Sequence, residues 1–167
     1  AVIGDRASRE SADNALSVAV TSRLSPTTDL HFAATAYDHR EQVTSPGVAS
    51  GIGPGIPANR SDNDFSRVAL NVFVRSELTS RIDAAFGLGY QDETGDSTGQ
   101  IAFSPDFVLP TGYSLSRDDV SAYAELAFGA DSGFDLVAGV RTDETNAAGR
   151  QTTGKLTVGH SFASDRI

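Results

Sequence analysis

The sequence predicts an all-β protein, an antiparallel meander of about seven to eight long strands forming part of a membrane β-barrel. Three observations carry this. Apolar and polar residues alternate with a period of two through most of the chain, and helical periodicity is poor. Every second connection between the alternating runs is a tight turn. The apolar parity is free of charge across the middle of each run.

The first run sets Leu16, Val18, Val20 and Leu24 against Ser17, Ala19, Thr21 and Arg23. Ser25-Pro26-Thr27-Thr28 reads as its turn, since proline pre-sets the φ a turn needs. The chain returns with Leu30, Phe32, Ala34 and Ala36 on one face and His31, Thr35, Tyr37 and His39 on the other. A second hairpin sets Val68, Leu70, Val72, Val74 and Leu78 against Arg67, Asn71, Arg75 and Glu77. It turns near Thr79-Ser80 into Ile82, Ala84, Phe86, Leu88 and Tyr90, opposed by Asp83, Gly87, Gly89 and Gln91.

The third hairpin runs Val120, Ala122, Ala124, Leu126 and Phe128 against Ser121, Tyr123 and Glu125. Ala130-Asp131-Ser132-Gly133 is its turn, and Phe134, Leu136, Ala138 and Val140 return. A seventh run spans 151–162, with Leu156 and Val158 against Lys155 and Thr157. Ala163-Ser164-Asp165 reads as a further turn and Arg166-Ile167 as the first step of an eighth strand. The segments 41–63 and 93–116, rich in Gly and Pro, read as long loops, and 145–150 as a short link. Short turns on one side and long loops on the other are the sidedness of outer-membrane barrels.

Composition narrows the classes. No apolar stretch approaches the ~20 residues of a spanning helix, whereas a β-span needs only ~9–11. The chain holds no cysteine, so disulfides and thiolate sites are excluded. A formal net charge of -9 argues against nucleic acid, whose phosphates draw on clustered Lys and Arg. No cationic and apolar leader is present, so the chain is expected to be mature or to begin inside a longer precursor. A soluble β-sandwich binding module is the competing reading, but its turns would recur every ~8–12 residues. Charge on the lipid parity would cost ~2–4 kcal/mol at the midplane, and the apolar parity carries none there. The other parity, expected to face the lumen, carries Arg23, Arg67, Arg75, Glu77, Asp83, Glu125, Arg141 and Lys155.

A transmembrane sheet leaves no edge in lipid, because each unpaired backbone group there costs several kcal/mol. Seven runs and a stub therefore read as a single segment, 1–167, of a larger barrel. A small stand-alone outer-membrane barrel with an adhesive or structural role is the alternative.

From Phe65 onward the order of motifs resembles TonB-dependent outer-membrane receptors, most closely their vitamin B12 (cobalamin) branch. The stretch Ser116-Arg117-Asp118-Asp119-Val120-Ser121-Ala122-Tyr123-Ala124-Glu125 carries the resemblance. Leu136–Asn146, Gly149-Arg150 and Thr152–His160 continue it. The resemblance implies the wall of a barrel of about 22 strands in a bacterial outer membrane. It also implies import of a cobalamin-like or siderophore-like small molecule, with a plug domain, the remaining strands, membrane lipid and, indirectly, TonB as partners. The plug and its TonB-contacting box are not in this sequence.

The candidate sites follow from the segments expected as loops. Ligand capture is expected of 41–63 and 93–116. By resemblance, Asp62, Asp64, Asp92, Glu93 and Asp96 are calcium ligands. From the residues alone they read as solvated acids, since Asp62-Asn63-Asp64 lacks the Gly and distal Glu of an EF-hand. Gly87-Leu88-Gly89 lacks the third glycine of a dinucleotide motif and reads as small lumen-facing residues. His31, His39 and His160 are scattered, with no third ligand or orienting acid beside them, so no enzyme is expected. Gly51–Pro57 reads as an irregular loop tip, and Tyr90, Phe128, Phe134 and Phe162 as interfacial aromatics.

Overall fold

Seven long antiparallel strands make up the computed structural model, which describes residues 6–48, 55–104 and 106–161. They are β1 (Ser8–Ser25), β2 (Thr28–Ser45), β3 (Ala58–Thr79), β4 (Ile82–Ser104), β5 (Phe107–Gly129), β6 (Phe134–Thr145) and β7 (Gly149–His160). Each pairs with its sequence neighbours in one sheet of order β1 to β7. The described residues contain no helix.

The tight turns lie where the sequence places them. Pro26-Thr27 joins β1 to β2, and Ser80-Arg81 joins β3 to β4. Between β5 and β6, Ala130 donates to the Phe134 carbonyl at 2.8 Å, and Gly133 takes a φ of 78°. That left-handed backbone is why a glycine closes this turn. Neighbouring hairpins are tied at the same level: Glu77 N–H donates to Thr27 O at 2.8 Å, and Gly129 N–H to Arg81 O at 2.9 Å. The expected turn at 163–165, the stub 166–167, Phe162 and positions 51–54 of the loop tip lie outside the described residues.

One expectation is corrected. The segment 93–116 is almost wholly strand, with only 105–106 between β4 and β5, while 41–63 is strand at both ends, β2 continuing to Ser45 and β3 starting at Ala58. Glycines that suggested loops instead permit close strand pairing. A Cβ on Gly99 would lie 2.8 Å from the Arg60 carbonyl, and one on Gly112 would lie 2.7 Å from the Ser97 carbonyl. β4 has 23 residues, about 76 Å of extended chain, where a tilted span uses only ~9–11 residues.

A sandwich would bury its large apolar side chains between two layers. Among the described residues only Ala69 and Ala84 are buried apolar residues, while Leu16 is 66% and Leu156 71% exposed. A single sheet with its apolar side chains uncovered matches a barrel wall, not a sandwich.

Candidate functional site

The chain divides into two compact units, each with its own distribution of charge. The first comprises the described residues of Ser17–Thr35, Ala69–Asp92 and Arg117–Ile167. Within 17–35, 69–91 and 119–143, every Arg, Asp and Glu has an odd number. The even positions carry exposed apolar side chains such as Val20, Leu70, Phe86, Leu88, Leu126 and Val140. Strand geometry puts odd and even residues on opposite faces, so one face of this unit is uncharged over its whole middle. Phe128 and Phe134 lie on that face at strand ends and Tyr90 lies on it within β4, all three more than a third exposed.

The odd face is a paired polar surface. Arg23 donates to Asp29 at 3.3 Å, Arg75 to Asp83 at 3.3 Å, and Lys155 to Glu125 at 3.3 Å. Arg141 grips Asp143 with bonds of 2.6–3.0 Å. Arg81 bonds Asp131 across two of the tight turns. Of the residues expected to face a lumen, Arg23, Arg75, Asp83, Glu125, Arg141 and Lys155 lie here, together with Glu77. Two features escaped the sequence. His31 stacks on Phe73 with ring centroids 4.3 Å apart and accepts or donates a 3.1 Å bond at Thr21. Gly87 is covered by the Tyr123 ring, which a Cβ there would approach to 2.2 Å. Gly87 and Gly89 are therefore the floor beneath Tyr123 and Ser121.

The second unit comprises the described residues of Ala1–Leu16, Ala36–Val68 and Glu93–Ser116, and both of its faces are polar. On odd positions Asp13 receives Tyr37 Oη at 2.6 Å and lies 2.8 Å from His39 Nδ1. Arg9 bonds Glu41, Asn63 donates to Glu41 at 3.4 Å, and Ser97 donates to Asn63 at 2.6 Å. Arg67 pairs with Glu93 at 3.5 Å. The bonds from Tyr37 and then His39 hold the Asp13 carboxyl below its ordinary range, and donating to Asp13 pushes Tyr37 up. On even positions Arg40 meets Asp64 at 3.3 Å, and Gln42 and Arg60 meet Asp62 at 2.5 and 3.5 Å.

These pairings bear on the five acids expected to bind calcium. Asp62, Asp64, Asp92 and Asp96 have even numbers and Glu93 an odd one, so Glu93 points to the opposite face. Asp62, Asp64 and Glu93 are each engaged by arginine. Asp96 shares an open recess of about 400 Å³ with Asp38, Asp64, His39 and Arg40. Asp92, beyond the last apolar position Tyr90, hydrogen-bonds the Asp118 carboxyl, which raises its pKa. Among the described residues no three acids or histidines converge as a metal site. A hard cation needs such convergence, and paired acids spread over two faces do not supply it.

An all-β meander with one uncharged face defines a class, the wall of an antiparallel β-barrel. Solved structures of that class are similar over nearly the whole chain. The ferric yersiniabactin uptake receptor FyuA of Yersinia pestis matches with a TM-score of 0.65 at 13% identity, covering 90% of this chain and 25% of that one. The RagAB peptide transporter matches with a TM-score of 0.65 at 12% identity, over 91% of this chain and 20% of that one. RagAB in its "open-open" state gives 0.64 at 14% identity. The chain thus spans a quarter or less of the proteins whose fold it shares. No protein-family profile matches the sequence, and no curated protein does.

Proposed function

We propose that this chain is a stretch of barrel wall from a TonB-dependent importer in a bacterial outer membrane. The first unit crosses the bilayer between its tight turns and the level of Tyr90, leaving Asp92 and Asp118 outside, with its even face against lipid and its odd face toward the lumen. The lumen charges Arg23, Arg75, Glu77, Asp83, Glu125, Arg141 and Lys155, with Arg67 in the second unit, hold a plug domain of the parent protein. The lengthened hairpins of 41–63 and 93–116 stand outside the cell and capture the ligand. The observation that carries this reading is the strict parity of charge in 17–35, 69–91 and 119–143. The cargo, a chelate of siderophore or cobalamin type, is taken from the sequence resemblance, since the fold is shared equally with a ferric yersiniabactin uptake receptor and a peptide transporter.

The test is uptake by cells making the full-length parent protein. Labelled ferric siderophore and cyanocobalamin are supplied in turn, with and without an energised inner membrane. Shortening the hairpin by removing 96–114 should abolish energy-dependent uptake of one of them while the protein still assembles. Uptake of neither by the intact protein would overturn the cargo assignment.

A further inference from the structure

The strand β5 runs on past its neighbour. β6 pairs with it only from Asp119, opposite Thr145, to Gly129, opposite Asp135. Two hydrogen bonds orient the backbone: Gly129 donates to Arg81 at 2.9 Å, and Asp118 accepts from Asn146 at 3.2 Å. In an antiparallel strand one residue's N–H and C=O point to the same side, and the side alternates along the chain. Odd residues of β5 therefore bond β4, and even residues face the other side. From Asp118 back toward the N-terminus those even residues are Ser116, Ser114, Gly112, Pro110 and Val108. Among the described residues no strand lies beside them.

Pro110 sits where an N–H would point outward, the one strand position a proline tolerates. Exposed edges are usually blunted by charge, proline or a bulge. Between Pro110 and Arg117 none of these occurs, and Gly112, Ser114 and Ser116 offer donors and acceptors in register. The odd residues add an apolar stripe: Leu109, Tyr113 and Leu115 are 46%, 65% and 63% exposed. Asp106, Asp118 and Asp119 flank this stretch against the single cation Arg117.

We propose that Thr111–Ser116 is a docking edge for an extended peptide from another molecule. The peptide adds as an antiparallel strand, as β6 does on the same side of β5. Backbone bonds to Gly112, Ser114 and Ser116 supply affinity, and alternate apolar side chains meet Leu109, Tyr113 and Leu115. Cationic ends complement the flanking carboxylates. This inference stands on strand geometry and goes beyond import.

Hydrogen exchange on the full-length protein in detergent micelles tests it. The probe is the capped heptapeptide Lys-Val-Thr-Val-Thr-Val-Lys, beside an analogue N-methylated at alternate amides. The amides of 112, 114 and 116 should exchange fast in the free protein and about tenfold or more slowly with the peptide. The N-methylated analogue should leave them fast. Ser114→Pro should abolish protection, because its N–H points away from β4, and Tyr113→Ser should weaken binding with the backbone unchanged. Slow exchange before any peptide is added, no slowing at millimolar peptide, or equal slowing by both peptides would each overturn the proposal.

Discussion

The two units of this sheet are built from the same strands under different rules. In the first, every even position through 17–35 and 69–90 is uncharged, and the charges gather on odd positions in pairs such as Arg75–Asp83. In the second, Arg40–Asp64 occupies the even face and Arg9–Glu41 the odd. Strand pairing persists in both, so backbone hydrogen bonding does not explain the contrast. The proposed setting does: a wall in lipid would tolerate polar groups on one face only, whereas water accepts them on both.

The largest break in that contrast should come from charge on the uncharged face. Leu70→Arg or Val72→Arg should cost about 2–4 kcal/mol if the position reaches the bilayer midplane, and should reduce assembly in the outer membrane. Asn71→Arg, one step along, should be mild by the same urea-unfolding and membrane-fractionation measurements. A smaller effect is expected beneath Tyr123. Gly87→Val places atoms where the ring lies, an overpacking cost of roughly 1–3 kcal/mol. Tyr123→Ala in the same chain should recover most of it, which a double-mutant cycle would measure.

The smallest effect is one of pH, at the border Asp92. Its pKa is raised in the folded sheet by the hydrogen bond to Asp118, above the ordinary value of 3.8. A carboxyl with a raised folded pKa stabilises most when protonated, below the unfolded value, and that stability is lost as pH rises through the folded pKa. Protease resistance of β4 and β5 near Asp92 should therefore increase on acidification from neutral pH. Asp118→Asn should flatten this dependence, and an unchanged profile would remove the shared proton from the account.

The same contrast explains what was legible in the sequence. The seven runs and their tight turns were readable because period-two alternation is strict there, as in Val68–Leu78 and Ile82–Tyr90. Past Asp92 the even positions become Thr94, Asp96, Thr98 and Gln100, so the apolar signal disappears while the strand continues to Ser104. Glycine then misled, since Gly99 and Gly112 serve close pairing instead of turns. The His31–Phe73 stack needs the register of β2 against β3, which the intervening 46–57 segment conceals. Parity could have separated Glu93 from the four even-numbered acids in advance. The edge of β5 was beyond reach, because it depends on where β6 stops.

The central claim is that even positions of the first unit face lipid and odd ones do not. The chain has no native cysteine, so single nitroxide labels can be placed at Leu70, Asn71, Val72, Val74 and Arg75. Oxygen concentrates in the bilayer and a nickel chelate in water, so relaxation by each reports the surroundings of a label. The account predicts high oxygen access at Leu70, Val72 and Val74, and higher nickel access at Asn71 and Arg75. Equal access along the series, or the opposite phase, would contradict it.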